Sequence, residues 1–142
     1  MHENVLITIE GHQTTLDEPE QTVRLTTEGQ YYQHDNVWHV AYDESEATGL
    51  EGTRTLLTVT PQGTETLARS GSTEMELIFV KGSRHITRMA TPYGDLDVGI
   101  YTNLVELNLK PTGGSIHLGY SVDFNQQETT TTRLDLEIRL KG

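Results

Sequence analysis

The strongest constraint on the fold is a strict alternation of apolar and polar residues in the last third of the chain. From residue 116 to residue 124 every second side chain is apolar, and the same pattern returns from residue 134 to residue 140. A period of two places each set on one face of a β-strand, whereas a helix would scatter the same residues around its circumference. The pattern therefore predicts strands that have one buried face.

The same alternation runs through most of the chain from residue 5 onward, and turn-forming sequences interrupt it. The clearest of these turns are His34-Asp35-Asn36, Pro61-Gln62-Gly63, Lys81-Gly82-Ser83, Pro92-Tyr93-Gly94-Asp95 and Pro111-Thr112-Gly113-Gly114. About nine to ten short strands joined by hairpin turns predict an all-β fold. We expect a single antiparallel, mostly up-and-down β-barrel over residues 1–142, because closure removes exposed strand edges.

Three segments give this prediction its detail. Residues 69–102 predict three antiparallel strands joined by two tight turns. Gly29, inside a strand pattern, predicts a bulge or a bend. The long polar connection of residues 43–53 predicts either a single helical turn or a lid over one end of the barrel.

Composition limits the compartment and the partners. At 142 residues the chain has room for one domain with a hydrophobic core. Ten Lys and Arg against 21 Asp and Glu give a net charge of −11, which repels phosphate backbones and anionic lipid. We therefore expect neither a nucleic-acid partner nor a membrane partner.

The absence of cysteine excludes a disulfide framework and thiolate chemistry. The first residues lack the basic segment and the apolar core of a signal peptide, and no apolar run approaches the ~18 residues that span a bilayer. These observations predict a reduced, soluble, cytoplasmic protein.

Several motifs resemble one known family. They are Tyr42-Asp43-Glu44-Ser45 followed by Gly49 and Gly52-Thr53, then Arg69-Ser70-Gly71, then Thr91-Pro92-Tyr93-Gly94 and Thr102. This pattern is similar to that of the YwiB-like family of uncharacterised bacterial proteins, over about residues 5–138, and residues 69–102 are the most specific part. The resemblance implies a calycin (lipocalin-like) β-barrel in a bacterial cytoplasm and implies no activity. Met89 departs from the family pattern, in which an aromatic residue is expected.

The position of Arg69 needs a physical explanation, because Arg69 shares a strand face with the apolar Leu67. An arginine directed into a barrel is costly unless it is paired or stacked on an aromatic ring. One interpretation is an interior anion-binding group that selects a carboxylate or a phosphate. The other, which the usual pairing of buried charges favours, is a structural arginine that packs on Trp38 or a tyrosine and bonds to strand carbonyls. In that case Arg69→Leu would lower thermal stability more than it altered binding.

Four further residues join Arg69 as candidate ligand-binding residues: Tyr42, His85, Met89 and Tyr93. Tyr93 lies in a turn that would rim a barrel mouth, or would only fasten that turn. Tyr42 ends a strand and either flanks a pocket or lies at a solvated strand end. His85 and Met89 alternate toward the expected interior, where they would line a cavity with Met75, Leu77 and Tyr120, although a histidine in mid-strand is also an ordinary sheet residue.

The sequence predicts no catalytic constellation, no metal site and no cofactor. Its six histidines show neither a His-x-His pair nor a metal-binding helix motif. No serine lies in a nucleophile elbow, and no glycine-rich turn leads from a strand to a helix to hold a phosphate.

Two classes of function fit these residues, and a third class is less favoured. A small-ligand binding or carrier barrel requires a cavity lined by inward side chains. A structural or protein-interaction module, with its interior filled, would show Val37 or Tyr101 on an exposed apolar patch. An enzyme, the least favoured class, requires a convergent polar cluster with shifted pKa values. The sequence is compatible with a homodimer.

Overall fold

Ten antiparallel strands form the fold in a computed structural model of the chain. It describes residues 3–15, 18–44, 51–71, 75–91, 94–124 and 127–141, without the side chains of residues 3, 89–91, 128 and 129. The strands are β1 (Glu3–Thr15), β2 (Gln21–His34), β3 (Val37–Asp43), β4 (Thr53–Val59), β5 (Glu65–Gly71), β6 (Met75–Phe79), β7 (Arg84–Thr91), β8 (Gly94–Lys110), β9 (Gly113–Phe124) and β10 (Gln127–Leu140). The prediction of an all-β fold is confirmed. Of the polar connection 43–53, residues 45–50 lie outside the description.

All ten strands belong to one sheet, in the order β6-β5-β4-β3-β2-β1-β10-β9-β8-β7. Within the runs β1–β6 and β7–β10, each strand pairs with the next one in sequence. Pairing of β1 with β10, from Val5 opposite Leu140 to Thr15 opposite Thr130, joins these two runs. The result is the predicted up-and-down antiparallel barrel, which is nearly closed.

The sheet order ends at β6 and β7, although only a tight turn separates these strands in sequence. Thr87 Oγ1 donates a hydrogen bond across this boundary to the Glu76 carbonyl oxygen, at 3.0 Å. The turn itself is held by Thr102, whose carbonyl accepts from Gly82 N at 2.7 Å and whose N–H donates to Ser83 O at 3.2 Å. The expected pairing of consecutive strands in residues 69–102 is therefore wrong at this step. We call this boundary the β6–β7 seam.

The core follows directly from the alternation. Inward residues of every strand meet inside the barrel, and most of the outward residues between them are polar. Burial of these side chains supplies the main favourable term in folding. The largest fully buried side chains are Tyr31, Phe79, Ile7, Leu57, Leu67, Ile100, Ile116, Leu118, Leu136, Ile138, Glu65 and Val5. One residue in that set, Glu65, carries a carboxyl group.

Gly29 marks a close approach of three strands. A Cβ atom at this position would lie 2.5 Å from both Ala41 O and Ile7 Cδ1, so no larger residue fits without displacing its neighbours. The pairing of β2 with β1 and with β3 continues past Gly29 without a shift. The predicted bulge is therefore absent there, and a bulge occurs in β8 instead, between Thr102 and Leu104.

Because the strands alternate in direction, their connections divide between two ends of the barrel. The β2–β3, β4–β5, β6–β7 and β8–β9 connections are short turns at one end, which we call the hairpin end. The other connections leave the strands at the opposite end, which we call the loop end. Asp35 and Asn36 at the hairpin end both have positive φ, 51° and 67°, as a two-residue type I′ hairpin requires.

Candidate functional site

Arg69 faces the barrel interior close to the loop end, as its alternation with Leu67 predicts. Leu67 is 2% exposed, and the Arg69 side chain retains 24% of its accessible surface. Pairing of adjacent strands places Tyr42, Thr55, Arg69 and Met75 in one row across β3, β4, β5 and β6. Two predicted site residues, Arg69 and Tyr42, are thus brought to the same level of the interior.

Glu44 completes this group from just beyond the end of β3. Its N–H donates to Thr53 O at 2.8 Å, which continues the pairing of β3 with β4 by one residue. The Glu44 carboxylate is buried, with 2% of the side chain exposed. It accepts a hydrogen bond of 2.7 Å from Thr55 Oγ1, and its Oε1 lies 3.9 Å from Arg69 Nε. We call Tyr42, Glu44, Thr55 and Arg69 the Arg69 cluster.

The structure agrees only in part with the interpretation of Arg69 as a structural arginine that packs on an aromatic ring and bonds to strand carbonyls. Trp38 lies nearer the hairpin end and stacks on Tyr31, with ring centroids 5.0 Å apart, so the predicted packing of Arg69 on Trp38 is wrong. Glu44 supplies an ion pair, but 3.9 Å is too long for a hydrogen bond. Arg69 Nε is buried and has no hydrogen-bond partner among the described atoms.

The phenols near Arg69 are neutral hydrogen-bonding groups. Burial raises the pKa of Tyr42 well above its ordinary value of 10, and the negative charge of Glu44 raises it further. Burial likewise raises the pKa of Tyr120 on β9, although the positive charge of Arg69 acts against that shift. Both hydroxyl groups therefore keep their protons at neutral pH, and that of Tyr42 is hydrogen-bonded to Glu44 and Thr55.

Other buried polar atoms are also unsatisfied within the described part of the chain. They are His85 Nδ1, Thr53 Oγ1, Thr102 Oγ1 and both carboxyl oxygens of Glu65. Native interiors leave few such atoms without partners, and each one needs a physical explanation. Their occurrence inside one barrel, together with Arg69 Nε, indicates an interior suited to polar contacts.

The remaining sequence-predicted site residues have different outcomes. His85 alternates with the exposed residues Arg84 and Ile86 and has a buried ring nitrogen, so it faces the interior from β7. Met89 belongs to β7, but its side chain lies outside the description. Tyr93 also lies outside the described residues. The ligand-binding roles of Arg69, Tyr42, His85, Met89 and Tyr93 stay predictions.

Sequence reasoning missed Glu65, which is fully buried at 0% exposure. Desolvation of its carboxyl group raises the pKa from 4.5 to about 7. The signal was present, because Glu65 alternates with Leu67 and Arg69 on the inward face of β5. A glutamate is almost never fully buried unless it is paired. For that reason the sequence pattern alone did not lead to Glu65 as a candidate site residue.

A separate cavity of about 470 Å³ opens at the hairpin end. This volume is within the range of small-molecule pockets. Trp38 and Val59 form part of its wall, and the turn after β4 forms part of its rim. The cavity is lined by Gln33, Asn36, Trp38, Val59, Thr60, Pro61, Leu107 and Leu109, none of which carries a charge. We call it the hairpin-end cavity.

Histidines on the outer surface form simple pairs with acids. His117 Nδ1 lies 2.6 Å from Asp135 Oδ1, and Arg133 Nε lies 3.4 Å from the same oxygen. Burial acts to raise the pKa of Asp135, but the hydrogen bond to His117 and the charge of Arg133 outweigh it and lower that pKa. Among the described side chains, no three His, Cys, Asp or Glu residues come together as metal ligands.

These features define a small antiparallel β-barrel with a polar group in its interior. The chain belongs to the family described as domain of unknown function DUF1934, which it matches over residues 7–136. Within the described ranges, the structure contains no helix long and apolar enough to cross a bilayer.

The chain is similar to the uncharacterised β-barrel protein YwiB of Bacillus subtilis strain 168. The two sequences are 24% identical over 112 residues, which is 79% of this chain and 77% of that protein. The crystal structure of the YwiB protein from Bacillus subtilis superposes on this chain with a TM-score of 0.77 at 21% sequence identity. The superposed region is 96% of this chain and 92% of the YwiB chain. The resemblance to the YwiB-like family is thereby confirmed, and the structural likeness supports the barrel fold alone.

Proposed function

We propose that the protein binds a small monocarboxylate in the barrel interior, with Arg69 as the group that receives the anion. The observation that carries the proposal is the buried Arg69 Nε, which has no hydrogen-bond partner among the described atoms. Leaving a buried donor unsatisfied costs about 1–3 kcal/mol, and more for a charged group. A carboxylate that accepts from this donor would remove that cost.

Charge favours a carboxylate over a phosphate. The Arg69 cluster contains one guanidinium and the Glu44 carboxylate, and the whole chain carries a net charge of −11. A dianionic phosphate would meet stronger repulsion in this setting than a monoanion would. One guanidinium can form a two-point contact with one carboxylate, and the phenol of Tyr120 can add a donor.

Glu44 acts in this proposal as a positioning residue. At 3.9 Å its carboxylate attracts the Arg69 guanidinium without forming a hydrogen bond to Nε, while Thr55 holds Glu44 at 2.7 Å. The arginine is thus attracted toward a defined side of the interior, and its Nε donor stays available.

Calorimetric titration with butyrate, benzoate and octanoate tests the proposal, with the corresponding amides as neutral controls. We expect at least one carboxylate to bind and its amide to fail. Arg69→Lys should weaken binding by about tenfold or more, since lysine keeps the charge but lacks the fork that contacts both oxygens. Arg139→Leu, which removes an exposed arginine on β10, should leave affinity unchanged.

Failure of all three carboxylates to bind, or undiminished binding by Arg69→Lys and Arg69→Leu, would overturn the proposal. Stability of each variant is measured in the same samples by thermal unfolding. A variant that melts like the wild type and loses the carboxylate shows a role in binding, whereas one that only melts earlier supports the structural interpretation.

A protein-interaction role is the second candidate, because two large apolar residues are exposed on adjacent outer strands. Ile86 on β7 is 58% exposed and Tyr101 on β8 is 43% exposed. Ile86 lies opposite Gly99, which has no side chain to cover it. Exposed apolar patches mark interaction sites when they are contiguous. Of the two residues whose exposure would favour this role, Tyr101 is exposed and Val37 is half-buried.

Sedimentation velocity tests this second candidate as homodimer formation. If the patch joins two copies, the wild type should sediment as a dimer and Ile86→Ser should sediment as a monomer. Leu140→Ser, which changes another exposed apolar residue, is the matched control and should not alter the state. A monomeric wild type at high concentration would contradict self-association through this face.

We also propose a cytoplasmic location and a relationship to the calycin barrels. The absence of cysteine supports the first, because it is compatible with a reducing compartment. The up-and-down order of antiparallel strands supports the second. Cell fractionation with an antibody against the chain tests the location, and recovery with the membrane or the medium would contradict it.

A further inference from the structure

Glu65 is a fully buried carboxyl group in the described interior. It is 0% exposed, and neither carboxyl oxygen has a hydrogen-bond partner among the described atoms. Its neighbours on adjacent strands are Val59 on β4 and Phe79 on β6, which offer no polar group. An uncompensated buried carboxyl group persists at a large cost in folding free energy, so its presence points to a use other than stability.

The hairpin-end cavity lies next to this carboxyl group. Trp38 pairs with Val59, and Val59 pairs with Glu65, so the three residues form one inward row across β3, β4 and β5. The first two line the cavity. The turn residues Thr60 and Pro61 also line it, and β5 begins at Glu65 directly after that turn. Glu65 therefore lies directly behind the wall residue Val59 and close to the cavity, although it is not itself one of the lining residues.

The wall of the cavity is chemically suited to a cation. Trp38 presents the aromatic ring most favourable for cation–π contact, and its stacking on Tyr31, with planes 9° apart, fixes its orientation. Tyr31 is itself anchored by a 2.7 Å hydrogen bond to the Lys110 carbonyl. The uncharged lining supplies no side chain to repel a positive group, and the chain's net charge of −11 raises the local concentration of cations.

We propose that the hairpin-end cavity binds a small organic ammonium ion, with Trp38 against the ligand and Glu65 as its counter-ion. The apolar residues Leu107 and Leu109 would contact the hydrocarbon part of such a ligand. This site is distinct from the Arg69 cluster, because it lies toward the other end of the barrel and selects the opposite charge. The two proposals can therefore fail independently.

Trp38 provides the readout, because it is the only tryptophan in the chain. Its fluorescence is followed during titration with phenethylammonium, and with phenethyl alcohol as the neutral analogue of nearly the same shape. We expect a saturable change with the ammonium ion and binding at least about tenfold weaker with the alcohol, the size of a desolvated charge contact.

Two variants separate the counter-ion from the pocket. Glu65→Gln should reduce affinity for phenethylammonium by about tenfold or more and leave the weak binding of the alcohol unchanged. Glu76→Gln, which removes an exposed carboxylate on the neighbouring strand β6, should leave both affinities unchanged. Far-ultraviolet circular dichroism of each variant confirms that the barrel is folded.

Three results would overturn the proposal. They are no response of Trp38 to phenethylammonium, equal affinity for the ammonium ion and the alcohol, and undiminished ammonium binding by folded Glu65→Gln. Should Glu65→Gln fail to fold, competition between phenethylammonium and tetramethylammonium on the wild-type protein takes its place. Absence of competition would then count against a cation site in the cavity.

Discussion

Replacement of Glu65 by glutamine should change the pH dependence of stability more than any other single substitution in the described core. Desolvation raises the Glu65 pKa from 4.5 to about 7. Between these values the folded state holds a proton that the unfolded state has released, so stability falls as pH rises. Below this window both states are protonated, and above it both are ionised.

The size of the effect follows from the two pKa values. At about 1.4 kcal/mol for each tenfold change in proton affinity, the ionised carboxyl group costs about 3 kcal/mol of stability above the window. Glutamine has nearly the same shape and no charge, and it leaves a similar buried polar group unsatisfied. We therefore expect Glu65→Gln to be close to the wild type near pH 4 and more stable by about 3 kcal/mol near pH 8.

Guanidinium chloride unfolding across this pH range measures the difference between the two proteins. Contributions from other titrating groups cancel, because they are common to both. Glu76→Gln, on the exposed face of β6, controls for the loss of one negative charge and should show no such slope. Parallel curves for the wild type and Glu65→Gln would refute the reasoning that a carboxyl group is buried without a partner.

The remaining predictions concern packing and single hydrogen bonds. Gly29→Ala should lower the free energy of unfolding by about 1–3 kcal/mol through overpacking. Gly11→Ala, whose Cβ would lie 3.8 Å from its nearest neighbour, should be tolerated. Equal denaturation midpoints for the two variants would contradict this prediction. Thr87→Val removes the hydrogen bond across the β6–β7 seam and should lower the free energy of unfolding by about 1 kcal/mol. It should also accelerate amide exchange in β6, and an unchanged exchange rate would contradict a stabilising role of this bond. Tyr31→Phe loses the bond to the Lys110 carbonyl and should lower stability by about 1–2 kcal/mol, which chemical denaturation can detect.

Strand positions and facing could be predicted because alternation is a local property. Leu67 and Arg69 share a face in any strand, so the inward direction of Arg69 required no knowledge of the fold. The turn at Asp35-Asn36 was likewise visible, since its residue types tolerate the positive φ values that occur there. These features depend on sequence neighbours alone.

Contacts between distant strands could not be predicted in the same way. Trp38 or a tyrosine was expected beside Arg69, but the sequence did not show which; the register places Trp38 beside Val59 and Tyr42 in the same row as Arg69. Alternation places Glu44 on the same face as Tyr42, but its approach to Arg69 depends on the register of β3 with β4 and of β4 with β5. That register is set by the whole sheet.

The missing ladder between β6 and β7 could not be predicted for a related reason. A tight turn between two alternating segments normally joins a paired hairpin, and residues 80–83 have suitable turn chemistry. In the structure β6 pairs with β5 and β7 pairs with β8, and among the described residues the facing edges of β6 and β7 do not form a ladder. Which pairings win depends on closure of the entire barrel, and the local sequence does not contain that information.

The most direct test of the central claim, a carboxylate site at Arg69, is native mass spectrometry of the purified wild-type protein and of Arg69→Leu, each measured intact and then denatured. The account predicts additional mass on the intact wild type that disappears on denaturation, identifies an organic acid, and is missing from the intact variant. The same bound mass on both proteins, or a wild type that carries none and binds no added carboxylate, would contradict the claim and favour a barrel filled by its own side chains.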